Sequence, residues 1–379
     1  MHFHHLHFYV QDAAFWSDWF IHKLAFQACD TSERNDDSKQ DYDKQNDGKQ
    51  DYGKQDADST YKTLKQGEIE IRLSDPHSSF DADSYLQHHP AGVVDVALAT
   101  DAFDAVLEQA IAQGATLLQP VSGPHGQRQC QLQGWADLRH TLIEEAATKA
   151  PSTSCQVDNM LRTASTTASS RLCAIDHVVL NVAKGKMAAA SAWYKRIFGL
   201  IQGQRFEITT AHSGLCSQVL VHPSGSLQLP INEPSSANSQ VQEFLDHNRG
   251  AGIQHVALRS LDAIAAIAYF RQQGLDLIRI PTTYYEDLRH RPHCPLPDTT
   301  AASAQKLLLD WASDGKQGVL LQTFTKPIFP EPTFFFEIIE RGTYAENGQI
   351  KNAQGFGEGN FQALFEAIER DQIERGSLE

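Results

Sequence analysis

Two segments of the chain share one pattern of apolar and polar positions. GVVDVALATDAFDAVLEQAIAQG (92–114) and GIQHVALRSLDAIAAIAYFRQQG (252–274) both carry Val-Ala-Leu at the same offset from the first glycine. In each, an apolar run of strand length precedes apolar residues at helical spacing, which predicts a strand followed by an amphipathic helix. We expect Asp101 and Asp262 to cap the two helices and the final glycines to end them.

A second pair of segments extends this repeat. FHHLHFYV leads into AFWSDWFIHKLAF, and IDHVVLNV leads into MAAASAWYKRIFGL. The chain therefore consists of two homologous halves, each made of two modules in which a helix follows one strand and further strands follow the helix. Because one such module cannot cover its own sheet, we expect paired βαβββ modules to curve into an open barrel around a cavity. The predicted fold class is α+β.

Composition changes at two places between these units. Four consecutive pentapeptides at 39–58, KQDYD, KQNDG, KQDYG and KQDAD, contain no Val, Ile, Leu, Met, Phe or Trp. Such a segment buries too little apolar surface to fold, so we predict a disordered insert at 31–60. A stretch rich in Ser, Thr and Ala predicts a linker at 151–170. The predicted domains are therefore an N-terminal domain at 1–150 and a C-terminal domain at 171–379.

Charge and cysteine usage narrow the class of partner. The 379 residues include 32 Lys and Arg against 47 Asp and Glu, a net charge of −15, which argues against nucleic acid or an anionic membrane surface. No apolar run reaches the roughly 18 residues of a membrane helix. The start, MHFHHLHFYV, lacks the basic region of a signal peptide. Six cysteines without a Cys-x-x-Cys pair are typical of reduced thiols, so we expect a cytoplasmic protein.

Three polar residues interrupt strands that are otherwise apolar. His177 lies in IDHVVLNV, His255 in GIQHVALRS and Glu337 in TFFFEIIER. A carboxylate among such neighbours is costly to bury unless it is paired or binds a metal. Two histidines and one carboxylate with open positions form the ligand set of non-haem Fe(II) oxygenases. The joint pattern therefore predicts a metal site in the C-terminal half.

The N-terminal half provides an internal control. Alignment of the halves places His5, Asp95 and Thr141 opposite the three predicted ligands, and only one position keeps a matching ligand type. We therefore expect the N-terminal domain to be structural and the C-terminal domain to be catalytic. In the histidine-rich start of the chain, strand alternation puts His5 and His7 on one face and His2 and His4 on the other. We assign these histidines structural or adventitious roles.

Six motifs between 175 and 369 carry a specific resemblance: LQLPINEP, EFLDHNRGAGIQHVAL, PTTYYEDLRHR, GVLLQTFTKP, FFFEIIER and GFGEGNFQALFEAIE. With the three ligands, they resemble the vicinal-oxygen-chelate superfamily and, within it, the 4-hydroxyphenylpyruvate dioxygenases. The resemblance implies a single Fe(II) per chain, held by His177, His255 and Glu337. It implies that 4-hydroxyphenylpyruvate and O₂ become homogentisate and CO₂ by oxidative decarboxylation, ring hydroxylation and side-chain migration.

The resemblance also assigns substrate contacts by motif position. The implied polar contacts are Ser217, Asn232, Gln240, Gln254, Gln322 and Asn360, and the implied aromatic walls are Phe324, Phe335, Phe361 and Phe365. No catalytic residue beyond the metal ligands is implied. GFGEGN followed by apolar residues at helical spacing predicts a C-terminal helix with a glycine hinge, which the resemblance favours as a lid.

Two alternative functions remain open. A 4-hydroxymandelate synthase would share the iron, the substrate and the fold but hydroxylate the benzylic carbon; Phe335 and the PINEP segment favour ring hydroxylation, by resemblance. A non-catalytic binding member of the superfamily is the other alternative, and the complete ligand set argues against it. The resemblance further implies a homo-oligomer whose product enters tyrosine breakdown or prenylquinone synthesis.

Overall fold

The computed structural model describes residues 1–29, 61–123, 127–145, 171–210, 212–294, 299–315 and 317–377. Two eight-stranded sheets and one two-stranded sheet lie within these ranges. The insert predicted at 31–60 and the linker predicted at 151–170 fall outside the described residues. No helix in the described ranges is long and apolar enough to cross a membrane.

The first large sheet comes from the N-terminal part of the chain. Its strands are β1 (His2–Tyr9), β2 (Gln27–Cys29), β3 (Lys62–Gln66), β4 (Ile69–Ser74), β5 (Gly92–Thr100), β6 (Leu117–Ser122), β7 (Gln129–Gln133) and β8 (Arg139–Glu144). Its helices are α1 (Ala13–Leu24), α2 (Phe80–His88) and α3 (Phe103–Ala112).

The second large sheet comes from the C-terminal part. Its strands are β9 (Ala174–Asn181), β10 (Ile201–Thr209), β11 (Gly214–Val221), β12 (Gln228–Pro234), β13 (Gly252–Arg259), β14 (Leu308–Asp310), β15 (Leu320–Phe324) and β16 (Phe335–Arg341). The helices are α4 (Met187–Phe198), α5 (Gln240–Asn248), α6 (Ala263–Gln272), α7 (Thr282–Leu288), α8 (Thr300–Ala304) and α9 (Phe361–Arg375). A hairpin of β17 (Thr343–Glu346) and β18 (Gln349–Asn352) precedes α9.

The two large sheets have the same topology. Their strand orders are β2-β3-β4-β1-β5-β8-β7-β6 and β10-β11-β12-β9-β13-β16-β15-β14, which correspond strand for strand. In each sheet the two central strands, β1 and β5 or β9 and β13, are antiparallel to each other. Each central strand is parallel to the strand on its other side. The predicted fold class, α+β with two tandem domains of paired modules, is confirmed.

Each sheet also carries the same pair of bulges between its two central strands. In the second sheet, Asp176 on β9 and Gln254 on β13 have no partner in the register. In the first sheet, the corresponding unpaired residues are His4 on β1 and Val94 on β5. A bulge sets two residues against one on the partner strand and re-aims their side chains. Consecutive residues can therefore face the same side of the sheet.

Two local predictions from the sequence were wrong. The bulge brings Nδ1 of His4 to 2.9 Å from Nδ1 of His5, so simple alternation misplaced His4 on the opposite face. Asp262 caps α6 as predicted, accepting a hydrogen bond from the Ala265 amide at 2.9 Å. Asp101 does not cap α3, because the cap position is Ala102, which has no side-chain acceptor. Phe103 and Ala263 begin their helices at the same position of the repeat, and Asp101 lies one residue before the cap position.

An aromatic cluster joins the two halves. The ring of Phe8 on β1 lies 5.2 Å from that of Phe334 and 6.4 Å from that of Phe336, between centroids. The Trp16 ring on α1 lies 4.6 Å from that of Phe329. Because side chains alternate along a strand, β16 packs Phe336 against the N-terminal half and turns its neighbours toward the other side of the sheet.

Candidate metal centre

Three polar side chains converge on one face of the second sheet, from the adjacent strands β9, β13 and β16. Their ligand atoms lie within 4.8 Å of one another. Oε2 of Glu337 is 3.2 Å from Nε2 of His177 and 3.8 Å from Nε2 of His255. His177 and Glu337 are each only 2% exposed. The structure thus brings together the three ligands that the sequence predicted.

Burial and charge act in opposite directions on the two imidazoles. Burial disfavours a charged His177, but the carboxylates of Glu337 and Asp176 outweigh it and raise the pKa of His177 to about 9. Burial, together with repulsion from His177, lowers the pKa of His255 well below its ordinary value. A metal ion competes with protons for the same nitrogen lone pairs. The buried carboxylate of Glu337 therefore favours the binding of a cation near the imidazole nitrogens of His177 and His255.

Hydrogen bonding fixes the orientation of the His177 ring. Its Nδ1 lies 3.0 Å from Oδ1 of Asp176. A carboxylate can only accept, so Nδ1 carries a proton. Nε2 faces Glu337, where a metal would replace the second proton that the raised pKa keeps on the ring. This arrangement of a carboxylate behind a ligating histidine is common in metal sites. The residues present therefore fit a divalent metal.

Two arginines hold that carboxylate in place. Arg341 donates to Asp176 through Nε at 2.8 Å and Nη2 at 2.7 Å, and Arg259 through Nε at 3.0 Å and Nη2 at 2.7 Å. Burial alone would raise the pKa of Asp176, but Arg341 and then Arg259 hold it well below its usual range. Sequence reasoning missed these residues; the available signal was an Asp beside a predicted ligand and the Arg that ends FFFEIIER.

Gln322 and Asn360 lie behind the third ligand. Nε2 of Gln322 donates to Oε1 of Glu337 and to the Phe356 carbonyl, both at 3.0 Å. Its Oε1 accepts from Nδ2 of Asn360 at 3.1 Å, and Oδ1 of Asn360 accepts from the Tyr284 hydroxyl at 2.8 Å. Both amides are thus committed to protein partners, and neither residue lines the cavity described next. Their role as substrate contacts stays a prediction.

A cavity of about 680 Å³, including its mouth, lies over the three ligands. Eight predicted contacts line it: Ser217, Asn232, Gln240, Gln254, Phe324, Phe335, Phe361 and Phe365. The nine remaining lining residues, which the motifs did not predict, are all apolar: Val179, Phe206, Ile208, Leu215, Val219, Pro230, Phe356, Leu364 and Ile368. An apolar wall with a few convergent amides and hydroxyls is typical of a small-molecule site.

Two aromatic rings flank the ligands directly. The Phe335 ring stacks on the imidazole of His255 with centroids 4.8 Å apart and planes 17° apart. The Phe356 ring meets His177 edge-on at 5.2 Å. Gln254 and His255 both line the cavity although they are consecutive, because the bulge on β13 interrupts strand alternation. The apolar rings leave one side of the ligand cluster open to the cavity.

Helix α9 covers one side of the cavity and is fastened at several points. The Glu369 carboxylate accepts hydrogen bonds from the hydroxyls of Thr210 and Ser213, both at 2.6 Å. Nearer its end, the helix forms ion pairs between Arg375 and Glu243 and between Lys326 and Asp371, both at 2.9 Å. The predicted C-terminal helix is therefore present, and its apolar face contributes to the cavity wall.

In the first sheet, the position that corresponds to His255 holds a fully bonded carboxylate. Asp95 accepts from Nε2 of Gln131 and from the Thr141 amide, both at 2.9 Å, and also from the Thr141 hydroxyl. The register pairs His5 with Ala97, as it pairs His177 with Ala257, so the alignment of the halves holds. The residues opposite two of the ligands are therefore bonded to each other.

A second group of ligand-type residues nevertheless lies in the first sheet. His4, His5 and Glu70 have ligand atoms within 4.8 Å of one another. Glu70 is paired with Lys65 at 3.0 Å and with Arg72 at 2.8 Å. Two side-chain cations therefore already balance the one carboxylate of this group, which disfavours a further cation.

Comparisons with known proteins agree with this picture. The family model described as the Glyoxalase/Bleomycin resistance protein/Dioxygenase superfamily matches residues 174–291. An uncharacterised protein from Synechocystis is 34% identical over 312 residues, which cover 80% of this chain and 85% of that protein. A 4-hydroxyphenylpyruvate dioxygenase from Legionella pneumophila is 34% identical over 321 residues, covering 83% and 85% of the two chains.

The fold and the site define a metal-dependent enzyme of the vicinal-oxygen-chelate superfamily. A solved mutant of 4-hydroxymandelate synthase from Streptomyces coelicolor has the same fold, with a TM-score of 0.75 over 98% of both chains at 20% identity. By its extended similarity to curated relatives, the chain belongs to the 4-hydroxyphenylpyruvate dioxygenase family and is a dioxygenase.

Proposed function

We propose that this dioxygenase uses Fe(II) bound by His177, His255 and Glu337 to convert 4-hydroxyphenylpyruvate and O₂ to homogentisate and CO₂. The observation that carries the proposal is the convergence of two imidazole Nε2 atoms and one carboxylate oxygen below a mostly apolar cavity. This donor set, with positions left open, is the one used by non-haem Fe(II) oxygenases. Membership of the dioxygenase family supports the same reaction class.

When bound, iron would supply open coordination positions and the redox chemistry for the 2-oxo acid and O₂. The atoms balance without a separate 2-oxo acid, because the substrate carries its own. The original carboxylate leaves as CO₂, one oxygen atom of O₂ enters the new carboxylate at the former keto carbon, and the other becomes the new ring hydroxyl. The chain's own residues must hold the aromatic ring at a defined distance from the open side of the ligand cluster and exclude water.

The walls of the cavity suit those tasks. Ser217 and Asn232 are register partners on β11 and β12, so their side chains stand side by side. With Gln240 and Gln254, they offer hydroxyl and amide groups that can bind a phenol or an acid without replacing the metal ligands. Phe335 supplies a flat apolar surface beside His255. These contacts orient a small aromatic acid between the polar wall and the ligands.

Helix α9 performs the exclusion of water. It places Phe361 and Phe365, together with neighbouring apolar residues, on the cavity. Phe365 is only 1% exposed, so the helix is packed against the site rather than loosely apposed. Closing a site in this way protects reactive intermediates from side reactions. We propose that α9 is the lid of the active site.

Hydroxylation of the benzylic carbon is the competing reaction. The same ligands and cavity would serve a 4-hydroxymandelate synthase, and the similarity to one such enzyme lies in the fold. The position of the ring relative to the ligands separates the two outcomes. A product assay with 4-hydroxyphenylpyruvate, O₂ and Fe(II) should yield homogentisate and CO₂. 4-Hydroxymandelate as the main product would contradict the proposal.

Metal analysis tests the site independently of turnover. We expect one equivalent of Fe(II) per chain after anaerobic reconstitution, and a large loss of bound iron in His255→Ala. The matched control is His5→Ala, which removes a buried histidine from the corresponding sheet of the N-terminal half and should retain the iron. Unchanged iron in His255→Ala, or two equivalents in the wild type, would count against this site assignment.

A further inference from the structure

The segment 353–360, which joins β18 to α9 and is called the hinge loop below, is linked by hydrogen bonds to two of the metal ligands. One series begins at His177, whose Nδ1 is held by Asp176. Asp176 is bound by Nε and Nη2 of Arg341. The remaining nitrogen of that guanidinium, Nη1, donates to the carbonyls of Ala353 at 3.0 Å and Gly355 at 2.9 Å. The series therefore ends on the hinge loop.

A second series begins at Glu337. Gln322 donates to this carboxylate and to the carbonyl of Phe356, and accepts from Asn360 at the far end of the hinge loop. The fit is close: a Cβ on Gly357 would lie 1.8 Å from Oε1 of Gln322, and φ at Gly357 is +78°. The close approach of the Gln322 side chain to the loop and the positive φ thus both require glycine at position 357.

The hinge loop also contacts a ligand directly. Phe356 places its ring edge-on against His177, with 5.2 Å between centroids. If the loop moved away, His177 would lose this cover and the Gln322 amide would lose two of its three partners. The docked position of the loop and the orientation of the ligands therefore depend on each other.

Arg341 is suited to couple them because one planar group serves both sides. The guanidinium has five donors in a fixed fork, so the directions of its bonds to Asp176 and to the loop carbonyls are linked. Arg341 is 8% exposed. Arg259 binds the same carboxylate, but within the described ranges its hydrogen bonds do not reach the hinge loop. The two arginines thus differ in this one respect.

We propose that Arg341 is a positioning residue that couples metal binding to docking of the hinge loop. The inference rests on the proposed metal site. A metal on Nε2 of His177 fixes the imidazole, which fixes Asp176 and keeps Arg341 turned toward the carbonyls of Ala353 and Gly355. Because such coupling is reciprocal, a docked loop strengthens metal binding by the same factor. Loss of a hydrogen-bond partner behind a metal ligand commonly weakens metal affinity about 10–100-fold. We expect an effect of about that size when Arg341 is replaced.

The test uses Co²⁺, whose visible absorption reports the geometry of its ligands, and amide hydrogen exchange of the full-length chain. In the wild type, Co²⁺ should slow exchange in the hinge loop and at the start of α9. Arg341→Lys keeps the charge but cannot bond Asp176 and both carbonyls at once. We expect it to bind Co²⁺ about tenfold or more weakly, with most of the Co²⁺-dependent slowing lost. The matched control, Arg259→Lys, should retain the slowing.

The possible results separate this inference from the proposed metal site. If Arg341→Lys and Arg259→Lys behave alike in affinity and in exchange, Arg341 has no special coupling role and the inference is wrong. If His255→Ala binds Co²⁺ as well as the wild type, the metal site itself is wrong. A wild type that binds Co²⁺ without any slowing in the hinge loop overturns the coupling alone.

A second variant tests the reciprocal effect should Arg341→Lys fail to fold. Gly357→Ala adds a Cβ that collides with Gln322 and displaces the hinge loop, although Gly357 touches no ligand. Reciprocity predicts a weaker affinity for Co²⁺ and a changed absorption band. Gly348→Ala is the control, since Gly348 also has positive φ (+76°) but no atom lies within 4 Å of an added Cβ. Equal affinity in these two variants would overturn the coupling.

Discussion

At the scale of single residues, Asp95 and His255 occupy corresponding positions of the two sheets but differ in their hydrogen-bond partners. Asp95 in the first sheet accepts three hydrogen bonds from Gln131 and Thr141, so both of its oxygens already have protein partners. His255, at the corresponding position, keeps a buried Nδ1 that has no hydrogen-bond partner among the described residues. Such an atom costs about 1–3 kcal/mol, and it is covered here by the stacked ring of Phe335. This cost is typical of a residue retained for function.

Phe335 makes a testable difference to the product. It lies two residues before Glu337 on β16 and stacks on His255, so it occupies space next to the open side of the ligands. Phe335→Ile removes part of this surface and should let the benzylic carbon approach. We predict a measurable share of 4-hydroxymandelate beside homogentisate from this variant, quantified by chromatography.

The control for Phe335→Ile is an equal truncation elsewhere in the cavity. Phe206 lines the same cavity but contacts Phe356 and Phe361 rather than His255. Phe206→Ile should leave the product ratio as in the wild type, even where it slows turnover. An unchanged ratio in Phe335→Ile, or the same change in both variants, would remove the special role assigned to Phe335.

At the scale of elements, α9 is held by a deeply buried phenylalanine, by smaller contacts with the main core and by several polar contacts. Phe365 packs into a small cluster with Leu215, Val241, Phe244 and Leu245, while Ala367 belongs to the main core and Leu364 and Ile368 pack against it. Because α9 takes no part in strand pairing, its release leaves the strand ladders of the second sheet intact. Removal of a buried phenylalanine costs about 3–5 kcal/mol, more than an exposed ion pair contributes. The apolar anchor therefore dominates the docking of α9.

We predict that Phe365→Ala undocks α9 while both sheets stay folded. Hydrogen exchange should become faster in 361–375 and remain slow in β13 and β16, and turnover should fall because water reaches the ligands. Ile373→Ala on the same helix is the control, because Ile373 is 47% exposed and should change neither quantity. Uniformly faster exchange across the second sheet would show that α9 is part of the core rather than a lid.

At the scale of the whole molecule, duplication explains why one half resembles the other without repeating its chemistry. The two sheets share strand order, register and both bulges. Fold and ligands are therefore separable, since the backbone arrangement persists where Asp95 and Thr141 replace His255 and Glu337. The aromatic contacts of Phe8 with Phe334 and Phe336 then tie the N-terminal half to the back of the strand that carries Glu337.

The repeat insert gives a prediction at this scale. Cys29 at the end of β2 pairs with Thr63 on β3, so the two ends of the intervening chain are adjacent in the sheet. Deletion of 39–58 leaves residues 30–38 and 59–61 to connect them, and closure entropy changes little with loop length. We expect turnover and Tm close to those of the full chain, by product assay and calorimetry. A large loss of either would mean that the insert contacts the folded protein.

Periodicity and residue type were enough to predict the two halves, the strand–helix units and the three side chains that converge on the second sheet. These features depend on local patterns: alternation and helical spacing reveal elements, and a histidine or glutamate in an apolar strand stands out without knowledge of its neighbours. The correspondence of His5 with His177 also followed from the repeat. The order of strands then matched the expectation of paired modules.

Only the tertiary structure decided what stands behind and beside those ligands. Asp176 bonds Arg259 and Arg341, which are 83 and 165 residues away in sequence, and such contacts depend on strand register that no local pattern encodes. The bulges at Asp176 and Gln254 turn consecutive residues to one side, which alternation alone forbids. Gln322 was predicted as a substrate contact from its motif, and only the folded structure shows that its amide also bonds Glu337 and the hinge loop. Residue types in sequence thus determined which groups can bind a metal, and the packing of distant strands determined how those groups are oriented.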